Sequence, residues 1–157
     1  MLKKYLQILD ESLDKKIEIL TQVERLSREQ SDMIANEASF EEIDKNMDAK
    51  AELIEQINKM DDGFSAMYDN IKAELDKNRA EFKSEIATLK KKITTVMEKS
   101  TSIEAIEARN KAGMENRFSV VHKDNSERLG KASAVRDYYN VANKLNVITP
   151  QFLDSKK

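Results

Sequence analysis

The stretch LDKNRAEFKSEIATLKKKITTVMEKSTSIEAI, residues 75–106, decides the fold. Leu75, Phe82, Leu89, Val96 and Ile103 recur every seven residues, and Ile86 and Ile93 follow their predecessors by four. Such steps gather apolar side chains on one stripe of a helix and make the a/d seam of a coiled coil. The stripe extends upstream to Phe64, Met67 and Ile71 and downstream to Ile106, Met114, Phe118 and Val121. One helix from Phe64 to Leu129 would be about 100 Å long. Helix propensity alone does not hold such a length, so it must pack on the preceding segments or on another chain. Ser100-Thr101-Ser102 is a candidate break, because Thr101 and Glu104 have the spacing of a capping box.

Upstream of this stretch lie two further helical segments. In the first, from about Leu2 to Ile34, the residues Leu6, Leu9, Leu13, Ile17, Leu20 and Val23 share a face, with Glu18 and Glu24 on solvated flanks. The pattern weakens at Ser31 and ends near Asn36. The second starts at Ser39-Phe40-Glu41-Glu42, a capping box in which Ser39 and Glu42 satisfy each other's backbone amides. Its stripe runs Phe40, Ile43, Met47, Ala51, Ile54 and Ile57. Asp61-Asp62-Gly63 then reads as a break or tight turn. Beyond Lys123 the stripe is sparse, although Ala132, Val135 and Tyr139 keep helical spacing. The expected organisation is a single helical domain over residues 1–140 and a loosely ordered tail over 141–157, where Pro150 sits.

Composition agrees. The 157 residues include 3 Gly, 1 Pro and no Cys, too few turn residues for a many-stranded β fold and none for a disulfide scaffold. No apolar run approaches the roughly 20 residues of a membrane span, and Asp10 interrupts the N-terminus before a signal-peptide core forms. The expectation is an all-α protein, soluble and cytoplasmic, with no membrane insertion. The 27 basic and 29 acidic residues nearly balance, which argues against nucleic acid as a partner. Residues 120–157 carry 7 basic and 4 acidic side chains, residues 1–119 carry 20 and 25. This asymmetry is either chance or a tail that meets an acidic partner.

The chemistry-bearing patterns are weak. Asp44-Lys45-Asn46-Met47-Asp48-Ala49 with Glu55 nearly matches an EF-hand calcium loop, but Ala49 stands where Gly is needed and the apolar stripe runs straight through. His122 is the sole histidine and has no cysteine to share a zinc ion with. There is no nucleophile elbow, Walker loop or GxGxxG, and the carboxylates fall at helix-surface spacing among lysines as i,i+4 partners. No enzyme activity, cofactor or metal is expected. Lys90-Lys91-Lys92 reads as lysines flanking the seam. Seven methionines are core filler or the lining of an adaptable groove. Asn110 falls on the seven-residue register of Ile103; either it is a polar seam residue that fixes register, or, the preferred reading, the seam ends there. Tyr138-Tyr139 is an aromatic pair past the seam, either a partner's anchor or packing of the last turn.

The order of these pieces resembles the FlgN family of flagellar export chaperones. The resemblance rests on the opening helix YLQILDESLDKKIEILTQV, on SFEEIDKNMDAKAELIEQINKMDDGF, on the long FSAMYDNIKAELDKNRAEFKSEIATLKKKI, and on EARNKAGMENRF with the closing GKASAVRDYYN. It implies an elongated antiparallel bundle or coiled coil of about three long helices. It also implies clients among the flagellar hook-associated proteins, the hook–filament junction proteins, bound by their terminal helices in the cytoplasm and delivered to the flagellar export gate. The family's C-terminal part binds client, and a tyrosine there meets the gate; the matching position is Tyr138 or Tyr139. A client's amphipathic helix would lie in a groove lined by Ile103, Ile106, Met114, Phe118 and Val121. Two alternatives stand beside this reading: a structural coiled coil that self-associates as a homo-oligomer, and a FliT-type chaperone of the filament cap. The scattered apolar residues between 103 and 139 favour a binding role, because a pure coiled coil would keep its seam or stop.

Overall fold

A computed structural model describes residues 1–120, and all of the elements within them are helices: α1 (Leu2–Ala35), α2 (Phe40–Lys77) and α3 (Lys83–Val120). Val121, His122, Tyr138, Tyr139 and the tail over 141–157 lie outside the described residues. The lengths of 34, 38 and 38 residues correspond to rods of about 50–57 Å. The chain reverses after α1 and after α2. Contacts show the directions: Lys92 meets Asp10 and Asp14, and Asn110 meets Ser31, so α3 runs parallel to α1. Lys16 meets Asp61 and Lys50 meets Gln30, so α2 is antiparallel to it. α1 packs along both neighbours, whereas the backbones of α2 and α3 come close at few points.

The buried positions form three unbroken heptad seams. In α1 they are Leu2, Leu6, Leu9, Leu13, Lys16, Leu20, Val23, Ser27 and Gln30. In α2 the positions Ile43, Met47, Lys50, Ile54, Ile57, Phe64, Tyr68, Ile71 and Leu75 are buried, with half-buried Asp61 completing the series. In α3 they are Ile86, Leu89, Ile93, Val96, Ser100, Ile103, Glu107, Asn110 and Met114. Steps of four and three hold throughout, so the sequence pattern and the packing are one fact seen twice.

Each reversal has a local cause. α1 ends in a Schellman-type turn: Glu37 N donates to Ile34 O at 3.2 Å and Ala38 N to Met33 O at 2.9 Å. Glu37 occupies the left-handed position of that turn, at φ 55°, where glycine is the usual residue. α2 opens on the expected capping box, with Glu42 N donating to Ser39 Oγ at 3.2 Å and Ser39 N to Glu42 Oε2 at 3.3 Å.

Three sequence expectations are corrected. Asp61-Asp62-Gly63 is no break: α2 runs through it, because Phe64, Tyr68, Ile71 and Leu75 continue the seam and a lone exposed glycine costs a helix only about 1 kcal/mol. The long helix from Phe64 does not exist either. The chain turns over Asn78–Phe82, where Asn78 Nδ2 donates to Glu74 O at 2.8 Å, and Glu81 N and Phe82 N both donate to Asn78 O, at 3.1 and 3.2 Å. Leu75 and Phe82 therefore belong to different arms of a reversal, and their spacing of seven is incidental. The candidate break at Ser100 is absent. α3 is continuous there, Thr101 Oγ1 donates back to Met97 O at 2.9 Å as a residue inside a helix does, and Ser100 is a buried seam residue.

Candidate functional site

Two polar layers interrupt the apolar seams. In the first, Lys16 Nζ reaches Asp61 Oδ1 at 2.7 Å between α1 and α2. Burial lowers the Lys16 pKa and raises that of Asp61, each against the opposing pull of its partner. Desolvation thus exceeds what pairing returns, the usual balance for a buried ion pair.

The second layer is larger and joins all three helices. Lys50, whose side chain is 0% exposed, donates to Gln30 Oε1 on α1 and to Glu107 Oε1 on α3 at 2.9 Å. Asn110 Nδ2 donates to Ser27 O at 2.9 Å and, more weakly, to Gln30 Oε1 at 3.4 Å. Ser31 Oγ lies 2.6 Å from Asn110 Oδ1, and Asn46 Nδ2 donates to Leu26 O at 2.9 Å. Burial lowers the Lys50 pKa although Glu107 pulls it up. Where α2 and α3 stand apart, the long Lys50 and Glu107 side chains bridge them. Asn110 is therefore a polar seam residue, not the end of the seam. The expectation that every carboxylate sits at a helix surface also fails at Glu107 and at Asp61. The signal was present: Lys50 falls midway between Met47 and Ile54 at steps of three and four, and Glu107 lies four beyond Ile103.

Beyond this layer lies the region where α1 turns into α2 and the last described residues of α3 stand. Phe118 stacks on Phe40 with ring centroids 5.1 Å apart and planes inclined by 12°. The Arg117 guanidinium stands 4.2 Å from the centre of the Phe40 ring, a cation–π arrangement. Gly113 lets α3 approach α1 closely, since a Cβ there would stand 3.0 Å from Ile34 Cγ2. Of the groove residues expected from sequence, Ile103, Ile106 and Met114 are buried and Phe118 is half-buried. Ile103 and Met114 belong to the bundle's own core, with Phe118 packed against it. Val121, Tyr138 and Tyr139 cannot be placed beside them, lying outside the described residues.

Among the described residues, no group of three or more His, Asp or Glu side chains is arranged to hold a metal ion. No helix among them is long and apolar enough to cross a membrane. What the arrangement offers is packing surface: long seams, two polar layers and an aromatic end.

No curated protein and no solved structure matches the chain. The family described as FlgN protein matches residues 1–139, all three helices and a stretch past them. This chain, with three seamed helices among its described residues and its late tyrosines inside the matched region, belongs to the FlgN family of flagellar export chaperones.

Proposed function

We propose that this chain is the cytoplasmic chaperone of hook–filament junction proteins, and that it delivers them to the flagellar export gate. The observation that carries the reading is the family match over residues 1–139, which reaches past α3 and takes in both Tyr138 and Tyr139. The client's terminal helix presents an apolar stripe that must be covered before assembly. Helix-in-groove binding covers such a stripe with a few anchors three and four residues apart. Ile103, Ile106, Met114, Phe118 and Val121 are the proposed anchors, at steps of three, eight, four and three along the sequence. Burial of the first three means that they meet a client only when the end of α3 parts from α1 and α2. Phe118 stands at the rim, and client contact would replace its stack on Phe40. Ordering a client helix costs several kcal/mol, so affinity stays moderate and release to the gate stays easy.

Titration calorimetry with a synthetic terminal helix of a hook–filament junction protein tests the groove. Phe118→Ala with Val121→Ala should weaken binding by more than about tenfold, in line with loss of anchor residues. Tyr138→Ala with Tyr139→Ala should leave that binding unchanged and reduce secretion of the client in a motile host. Unchanged affinity in the first variant would remove the groove, and unchanged secretion in the second would remove the gate contact.

A further inference from the structure

The second polar layer divides the core unequally. On one side the apolar seam runs from Leu2, Leu75 and Ile86 to Val23, Ile54 and Ile103, crossed by the Lys16–Asp61 pair and by the buried hydroxyl of Ser100. On the other side the cluster is smaller: Ile43, Met47 and Met114 are buried, with Met33, Ile34, Ala38, Phe40 and Phe118 partly buried against them. Within the layer, Ser27 Oγ, Gln30 Nε2, Asn46 Oδ1 and Glu107 Oε2 are buried without a hydrogen-bond partner among the described residues. An unmade hydrogen bond is a cost of the closed state, and water relieves it when helices part there. The small end carries two further weaknesses: Glu37 is held at φ 55°, and Gly113 sits inside α3.

We infer that the bundle is two cooperative units with the Gln30–Lys50–Glu107–Asn110 layer as their boundary. The smaller unit, residues 31–46 and 111–120, opens by itself while the apolar body stays folded. Local opening of this kind follows the distribution of buried apolar contact, and here that distribution has a sharp step. Opening uncovers Ile43, Met114 and the facing rings of Phe40 and Phe118. That the uncovered surface, the Met114–Phe118 part of the proposed groove, receives a client helix rests on the chaperone reading; the opening itself does not, and it leaves Ile103 and Ile106 covered.

Native-state amide hydrogen exchange on the full chain, with no client present, tests it. Amides of residues 33–35, 43–46 and 111–118 should share one rate, at least about tenfold above that of residues 9–20 and 93–103, and respond weakly to denaturant. Ile93→Val should speed exchange in the body about three- to tenfold and leave the small end unchanged, because the end opens without disturbing Ile93. Lys50→Met with Glu107→Leu should slow the small end and abolish the step between the units. If Ile93→Val speeds both regions by one factor, the bundle opens as a whole and the inference fails. It fails equally if fast exchange grades toward Val120 while residues 33–35 and 43–46 are as slow as the body, since that is fraying of α3 alone.

Discussion

Lys50 and Glu107 allow a quantitative prediction. Both side chains are withdrawn from water, at 0% and 6% exposed, and their charged atoms stand 2.9 Å apart. Lys50→Met leaves the Glu107 carboxylate buried with Oε1 deprived of that bond and Oε2 already without one. Removing one member of a buried pair costs about 3–5 kcal/mol, because a charge remains with no compensation. For a chain of this size that is a fall in melting temperature of roughly 10–15 °C. Glu107→Leu should cost a similar amount, since the Lys50 ammonium then stays buried without its carboxylate. The double variant removes both charges and fills the layer with apolar volume. Gln30 Oε1 keeps the amide of Asn110 at 3.4 Å, so its acceptor is not orphaned. Stability should return to the starting value or exceed it by about 1–4 kcal/mol. Urea unfolding of the four proteins closes the cycle. If the double variant loses the sum of the single losses, the charges are not coupled and the layer as described is wrong.

Three further outcomes follow from particular contacts. Leu89→Asp buries a carboxylate at a seam position and should lower the melting temperature sharply, whereas exposed Lys91→Asp should barely move it; equal effects would mean a misplaced seam. Glu37→Gly should stabilise the bundle by about 0.5–1 kcal/mol in urea unfolding, because glycine relieves the left-handed backbone, and a loss would show that the Glu37 side chain matters more than its φ. The Glu24 pKa is lowered first by the hydrogen bond from Ser102 at 2.7 Å, then by the Lys99 and Arg28 cations, against some desolvation. A depressed folded value means stability that is complete above the ordinary 4.5 and lost as pH falls through the folded pKa. Ser102→Ala should therefore lose less stability between pH 6 and about pH 3.5 than the parent does, and an unchanged acid slope would refute that role for Ser102.

The all-α class, the extent of α1 and the capped start of α2 were legible because each rests on local rules that packing reinforces. Ser39 and Glu42 need only each other, and Leu6, Leu9, Leu13, Leu20 and Val23 hold one heptad register with only Lys16 between them. The second reversal was illegible for a physical reason. Asn78–Phe82 turns with neither glycine nor proline, using an Asn side chain and shared carbonyl bonds instead. Leu75, Phe82 and Leu89 preserve heptad spacing across it, and spacing carries no information about chain direction. Gly63 misled in the opposite sense, as an exposed helical glycine with nothing within 4 Å of where a Cβ would stand. The polar layer escaped because apolar periodicity passes over lysine and glutamate at the very positions where Lys50 and Glu107 are buried. Of the expected groove residues that are described, only the half-buried ring of Phe118 and its stack on Phe40 meet the surface; the burial of Ile103 and Met114 follows from their seam positions.

The most direct measurement compares purified client proteins. The chain, titrated with an intact hook–filament junction protein and separately with a filament-cap protein, should bind the junction protein at least about tenfold more tightly. The preference should disappear in a junction protein stripped of its terminal helix. Tighter binding of the cap protein, or binding of neither, would contradict the assignment of hook–filament junction proteins as clients.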